Sequence, residues 1–161
     1  VPDEKTAVLL TNPAVSKWDF VEFNERIGLP YSRITDQRSP MTKYQIAYSD
    51  AINKHHSVIL NKTKKGGFTD GFLRHVAHQI FHRYAGHEVM LVAGNKEPIA
   101  RDIMERLYAL FENGITDDNG IHWTREQLIP SYTKSPLLMQ WFNGTKVIGS
   151  TASKSGKSSS F

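Results

Sequence analysis

The residues best suited to chemistry in this chain are the eight in the run Lys62-Thr63-Lys64-Lys65-Gly66-Gly67-Phe68-Thr69. Adjacent glycines let backbone N–H groups turn inward around phosphate oxygens, and lysines add point charge. A helix starting just after the loop adds the positive end of its dipole. A short apolar run, Ser57-Val58-Ile59-Leu60, precedes the loop and reads as the strand that leads into it. The common phosphate loop has the spacing G-x-x-x-x-G-K-[ST]. Here Phe68 stands in the lysine position and Asn61 or Lys62 in that of the first glycine, so the loop is a degenerate form. Upstream, Tyr44-Gln45 offers a second element of the same chemistry. A glutamine amide can donate to N7 of adenine while accepting from its N6–H, although a plain surface glutamine has the same sequence signature.

Three further groupings have alternative readings. His75, His78 and His82 recur at helical spacing, opposite the apolar stripe Phe72, Leu73, Val76, Ala77, Ile80 and Tyr84. Such a row can hold zinc, but without an acidic neighbour it reads better as the solvated face of an amphipathic helix. Asp117-Asp118 could bind a cation, yet Asp117-Asp118-Asn119-Gly120 is the composition of a solvated turn. Gly156-Lys157-Ser158 imitates the end of a phosphate loop, but Thr151 stands where the first glycine is needed and no helix follows.

These groups need elements to position them. Residues 1–38 form a lead-in with Trp18, Phe20, Val21 and Phe23, ending at Ile27-Gly28-Leu29-Pro30. Ser39-Pro40 starts a helix reaching about Asn53, and a helix from Gly71 to Tyr84 follows the loop. Glu88–Gly94 is a buried strand, and Pro98 opens a helix closed by Asn113-Gly114. Two strands flanking one crossover helix predict a right-handed parallel pair, Val58–Leu60 with Glu88–Gly94, and so an α/β fold. Asn143-Gly144 between Pro136–Trp141 and Phe142–Ile148 predicts a hairpin. Gly149–Ser160 reads as a flexible loop.

A chain of 161 residues is long enough for one domain with a real core. It carries 20 Lys+Arg against 16 Asp+Glu, a net +4 that suits an anionic partner. With no cysteine, disulfide scaffolds and thiolate metal sites are excluded. No apolar run approaches the roughly 18 residues of a membrane span. Val1 at the start and the Ser/Lys/Gly tract closed by Phe161 give the sequence the look of a piece of a longer protein.

Together, Tyr44-Gln45, the loop Lys62–Thr69, the Val89–Gly94 strand with its following helix, and Phe142-Asn143-Gly144-Thr145-Lys146-Val147-Ile148 resemble the N-terminal ATPase region of viral terminase large subunits. These are the motors that package DNA into procapsids, and the resemblance covers about residues 40–161. It implies a P-loop NTPase-like three-layer αβα domain with a mostly parallel sheet, incomplete at its C-terminal end, over 39–161. It also implies ATP and Mg²⁺ as cofactors, double-stranded DNA, other terminase subunits and the portal as partners of the parent protein, and the host cytoplasm as location. Lys62 would contact the β/γ-phosphates as the catalytic lysine, Thr69 would ligand Mg²⁺, and Tyr44, Gln45 and residues 62–69 would form the nucleotide site, with the amides of Lys65 to Phe68 as its cradle.

Two departures from the family stand out. Lys64 and Lys65 replace the usual arginine before the second glycine, and no apolar run ending in Asp-Glu occurs, so the water-activating carboxylates are expected beyond Phe161. The chain is then expected to bind ATP weakly and not to hydrolyse it. A helicase-like nucleic-acid motor shares these motifs. A non-catalytic basic α/β module would instead grip nucleic acid through Lys62, Lys64, Lys65, Lys154 and Lys157.

Overall fold

The structure is a computed structural model, and it describes residues 12–62 and 67–152. Helix α1 (Phe20–Ile27) starts where the Asp19 carboxylate accepts from the Glu22 amide, and stops at Gly28, whose φ of 103° few other residues adopt. A two-residue ribbon, β1 (Tyr31–Ser32) with β2 (Gln37–Arg38), leads to α2 (Lys43–Lys54). The α2 cap is Thr42 rather than Ser39: Thr42-Lys43-Tyr44-Gln45 forms a reciprocal capping box, three residues later than the sequence reading placed the start. Helix α3 (Phe68–His82) is followed by β3 (Glu88–Val92) and α4 (Glu97–Ala109), which has Pro98 in its first turn. The paired β4 (Ile115–Thr116) and β5 (His122–Trp123) then precede the single turn α5 (Arg125–Leu128). Strands β6 (Ser131–Lys134), β7 (Leu137–Gln140) and β8 (Lys146–Ser150) complete the described chain.

The main sheet has the order β3-β8-β7-β6. β3 pairs with β8 in parallel, Val89 opposite Val147, whereas β8–β7 and β7–β6 are antiparallel. The fold is therefore mixed α/β with a mixed sheet, not the mostly parallel one expected. The reason is local: three of the four strands are joined by short connections, including the expected Asn143-Gly144 hairpin, and short connections force antiparallel pairing. Val58–Leu60 is not a strand. Ser57–Lys62 is exposed, Ile59 almost fully at 99%, and the parallel partner of β3 comes from the far end of the chain instead.

The core lies where α3, α4 and the sheet meet. Phe81 of α3 stacks on Phe111 with ring centroids 5.6 Å apart, and the Trp141 indole meets Phe111 edge-on at 5.0 Å. Phe23 of α1 reaches Phe81 at 5.3 Å, so one aromatic cluster joins the lead-in, two helices and the end of β7. Gly149 of β8 lies so close to α4 that a Cβ there would come within 2.9 Å of Met104. At the C-terminal end of α3, the Asn143 amide donates to the Ile80 carbonyl and the Thr145 hydroxyl to that of Tyr84. Among the described residues, no helix is long and apolar enough to cross a membrane.

The turn is solvated at Asp118, Asn119 and Gly120, as expected, but not at Asp117. Asp117 is 3% exposed and its carboxylate accepts from the amides of Ala14, Asn119 and Ile121 and from the Trp123 indole, all at 2.9–3.0 Å. Asp118 takes the Ser16 amide and the Trp18 indole. The pair straps residues 14–18 across the β4–β5 turn. Burial pushes the Asp117 carboxyl pKa up, but the indole and the three amides outweigh it and hold the group below the usual range. Replacing Asp117 by Ala strands four donors and is expected to lower the unfolding free energy by about 3 kcal/mol. Urea titration followed by tryptophan fluorescence measures this, and a change under about 1 kcal/mol contradicts the strap.

Candidate nucleotide site at the start of helix α3

The residues flagged for phosphate binding surround the first turn of α3. Gly67 caps this helix in the left-handed conformation, φ 71° and ψ 13°, which glycine reaches without a Cβ clash. Among the described residues, no side chain caps this helix start. Its opening residues Phe68, Thr69 and Asp70 are half-buried. An amide cluster left without a side-chain cap at a helix start is a ready acceptor site for an anion. The carboxylate of Asp70 is engaged by the Arg74 guanidinium at 2.8 Å, which neutralises the one acid of this turn.

Gln45 meets this turn from α2. It is 5% exposed, its Oε1 accepts from the Thr42 amide at 2.9 Å, and its Nε2 donates to the Gly67 carbonyl at 3.0 Å. Tyr44, next to it, points outward at 62% exposure with the Lys43 ammonium over its ring. Lys62 is exposed, Thr69 lies one residue into α3, and Phe68 sets its ring edge against Tyr48 at 6.4 Å. Thr63, Lys64, Lys65 and Gly66 lie outside the described residues, as do Lys154 and the Gly156-Lys157-Ser158 run. The structure thus brings Gln45, Gly67, Phe68 and Thr69 together and leaves Tyr44 apart.

Gln45 touches Gly67, and Ser49, one turn on, touches His75, so α2 and α3 run side by side in the same direction.

The row of histidines is not a solvated face. His75 and His78 are buried, because α1 and α2 cover the side of α3 that the sequence reading gave to water. The Ser49 hydroxyl and His75 Nδ1 share a hydrogen bond of 2.8 Å. His78 Nε2 donates to the Trp18 carbonyl, also at 2.8 Å, and its ring packs on Phe20 and Phe23. His82 lies 5.0 Å from His78 between ring centroids, and its buried Nε2 has no hydrogen-bond partner among the described residues. His78 and His82, but not His75, line a groove of about 1060 Å³ together with Lys17, Phe20, Ile46, Asp50 and Arg83. Among the described residues, no group of three or more His, Asp or Glu could hold a metal ion.

Sequence reading missed two contacts here. Thr42-x-x-Gln45 is a legible capping box, which would have fixed both the start of α2 and the orientation of Gln45. Arg74 gave no signal, yet it is buried and donates to Asn24 Oδ1 at 3.0 Å and to the Gly28 carbonyl at 2.8 Å, tying α1 to α3.

Burial lowers the pKa of all three imidazoles, to about 4 for His75 and His82. A base depressed in the folded state keeps its full contribution above its unfolded value near 6.5 and loses it as pH falls toward the folded value. His75 and His82 are each expected to cost about 2 kcal/mol of stability at pH 5 relative to pH 7.5. Urea midpoints at the two pH values check this, and His82→Leu should flatten the dependence. Equal midpoints would show that the imidazoles are not buried in their neutral form.

Compared with family models, curated proteins and solved structures, the chain has no match in any of the three.

Proposed function

We propose that this chain is the ATP-binding part of a DNA-packaging terminase motor, in which ATP hydrolysis drives translocation of double-stranded DNA. The observation that carries this reading is the meeting of Gln45 and Gly67 at the start of α3, 22 residues apart in sequence. A glutamine upstream of a glycine-ended loop, a left-handed glycine and uncapped helix amides together suit a bound triphosphate and its magnesium. The parallel β3–β8 pair adds support. Ligands of α/β sheets gather at the carboxyl ends of parallel strands, and this ladder continues past β8, with Ala93 N–H bonded to Ser150 and Ala152 N–H to Gly94.

On this reading the described sheet is one portion of a P-loop NTPase-like three-layer domain. Lys62 would supply charge to the β/γ-phosphates, the Thr69 hydroxyl would hold Mg²⁺, and the amides of Gly67 and Phe68 would line the described part of the cradle. Other terminase subunits and a portal belong to the same proposal. The second reading, a basic module that grips nucleic acid without nucleotide, draws on the net charge of +4 and the lysines flanking the loop.

Calorimetric titration of Mg·ATP into the 161-residue chain separates the two. Binding that Lys62→Ala and Thr69→Ala each weaken by about tenfold or more is expected, since one charge-assisted contact is worth about 1.4 kcal/mol or more. No ATP hydrolysis is expected, because the chain has no apolar run ending in Asp-Glu. Absence of ATP binding, together with DNA affinity that falls steeply with salt, would favour the module instead.

A further inference from the structure

Strand β3 is the outer strand of the main sheet and has one neighbour, β8, among the described residues. The Lys146 N–H bonds to the His87 carbonyl and the Ala93 N–H to that of Ser150, so odd-numbered residues face β8. Successive residues of a strand aim their backbone groups to opposite sides. The N–H and C=O of Glu88, Met90 and Val92 therefore point outward. The side chains of the same three residues are exposed, whereas Leu91 is buried. Protein edges are commonly blunted by lysine, proline or a bulge. β3 has none of these, and its single charge is Glu88, at its start.

Residues 57–62 lack partners in the same way. They belong to no helix or strand, and among the described residues nothing is hydrogen-bonded to their backbone. Val58, Ile59 and Leu60 are exposed, and the β-branched Val58 and Ile59 favour strand. Laid antiparallel on β3, the segment matches it along its length. Lys62 comes opposite Glu88, Leu60 opposite Met90 and Val58 opposite Val92, each pair exchanging two backbone hydrogen bonds. All three pairs share the exposed face, so apolar side chains meet there and the Lys62 ammonium meets a carboxylate. Neither charge has an ion-pair partner among the described residues. Ile59 falls on the opposite face, beside Leu91. A parallel alignment would carry Lys62 to the Val92 end and lose the charge pair.

The antiparallel sense decides where the segment comes from. Within one chain, α3 is the single crossover helix between residues 57–62 and β3, and such a connection yields a parallel pair. The matching register thus takes a second molecule. We propose that residues 57–62 of one copy add to the β3 edge of a second copy, and those of the second to the first, in a two-fold symmetric dimer. The dimer does not depend on the nucleotide reading, although Lys62 cannot serve Glu88 and a phosphate at once.

Two short ladders make an interface below the roughly 1,600 Å² of a standard one, so dissociation in the micromolar to millimolar range is expected. Sedimentation equilibrium of the full chain measures it. Lys62→Glu and Glu88→Lys are each expected to weaken the dimer by about tenfold, because the symmetric assembly contains each pair twice. The double exchange should restore it to within about threefold. Leu60→Pro removes an N–H that pairs with Met90, lies outside every described element, and should abolish the dimer with an unchanged circular dichroism spectrum. Amide exchange should slow with concentration at 58, 60, 62, 88, 90 and 92 and stay fast at 59 and 61. A chain that is monomeric throughout would overturn the proposal. So would a dimer that Met90→Lys abolishes and Leu60→Pro leaves intact, since β3 would then be pairing with β3.

Discussion

Helix α3 is buried along almost its whole length, so the polar side chains it carries must find partners inside the protein. From Gly71 to Phe81 only Phe72 escapes full burial. Arg74, His75, His78 and Gln79 have little access to water, and an unmatched polar group in such a place costs a large share of a domain's marginal stability. The solution is visible in what surrounds the helix. Asn24 and Gly28 serve Arg74, Ser49 serves His75, and the Trp18 carbonyl serves His78. Helices α1 and α2 are held against α3 by these bonds as much as by the apolar contacts of Phe23 and Phe20.

The same constraint explains why the lead-in is part of the domain. Trp18 and Phe20 cover the histidine rings, and they stay there because Asp117 and Asp118 hold residues 14–18 from the other side. The two carboxylates and the three imidazoles are opposite halves of one design. The acids keep their charge by accepting from N–H groups, and the bases keep their neutrality by burial.

Much of this could be read from the sequence where the signal is local. Pro98 at a helix start and the Asn143-Gly144 turn each depend on a few adjacent residues, and both occur as expected. Strand Glu88–Val92 follows its continuous apolar run, but it is an edge strand and not the buried one expected: Met90 and Val92 are exposed. Other features depend on distant partners. Val58-Ile59-Leu60 has the composition of a strand, but a strand exists only when a neighbour completes its ladder, and no neighbour can be read from three residues. The histidine row was assigned to water because the apolar stripe lay on the other side. Nothing in the helix itself announces that α1 and α2 cover that second face. Asp117 illustrates the same limit: its turn composition is correct, while its burial depends on Ala14 and Trp123. At the candidate site, a helix after the glycines was legible, but it starts at Phe68, three residues before the expected Gly71, because Gly67 itself caps it. The double engagement of Gln45 was not, although Thr42-x-x-Gln45 carried half of it.

The bonds from Asn143 and Thr145 to the end of α3 have a kinetic meaning. A helix leaves its last carbonyls unmatched, and here that of Ile80, with that of Tyr84 just beyond the helix, is taken by side chains 63 and 61 residues further along. The final turn of α3 is therefore complete only after a long loop has closed, and loop closure of that size is entropically costly. Its first turn draws on Gln45 and Gly71, which lie much nearer in sequence. The two ends of α3 are thus tied down differently, the first by a neighbouring helix and the last by the β7–β8 turn.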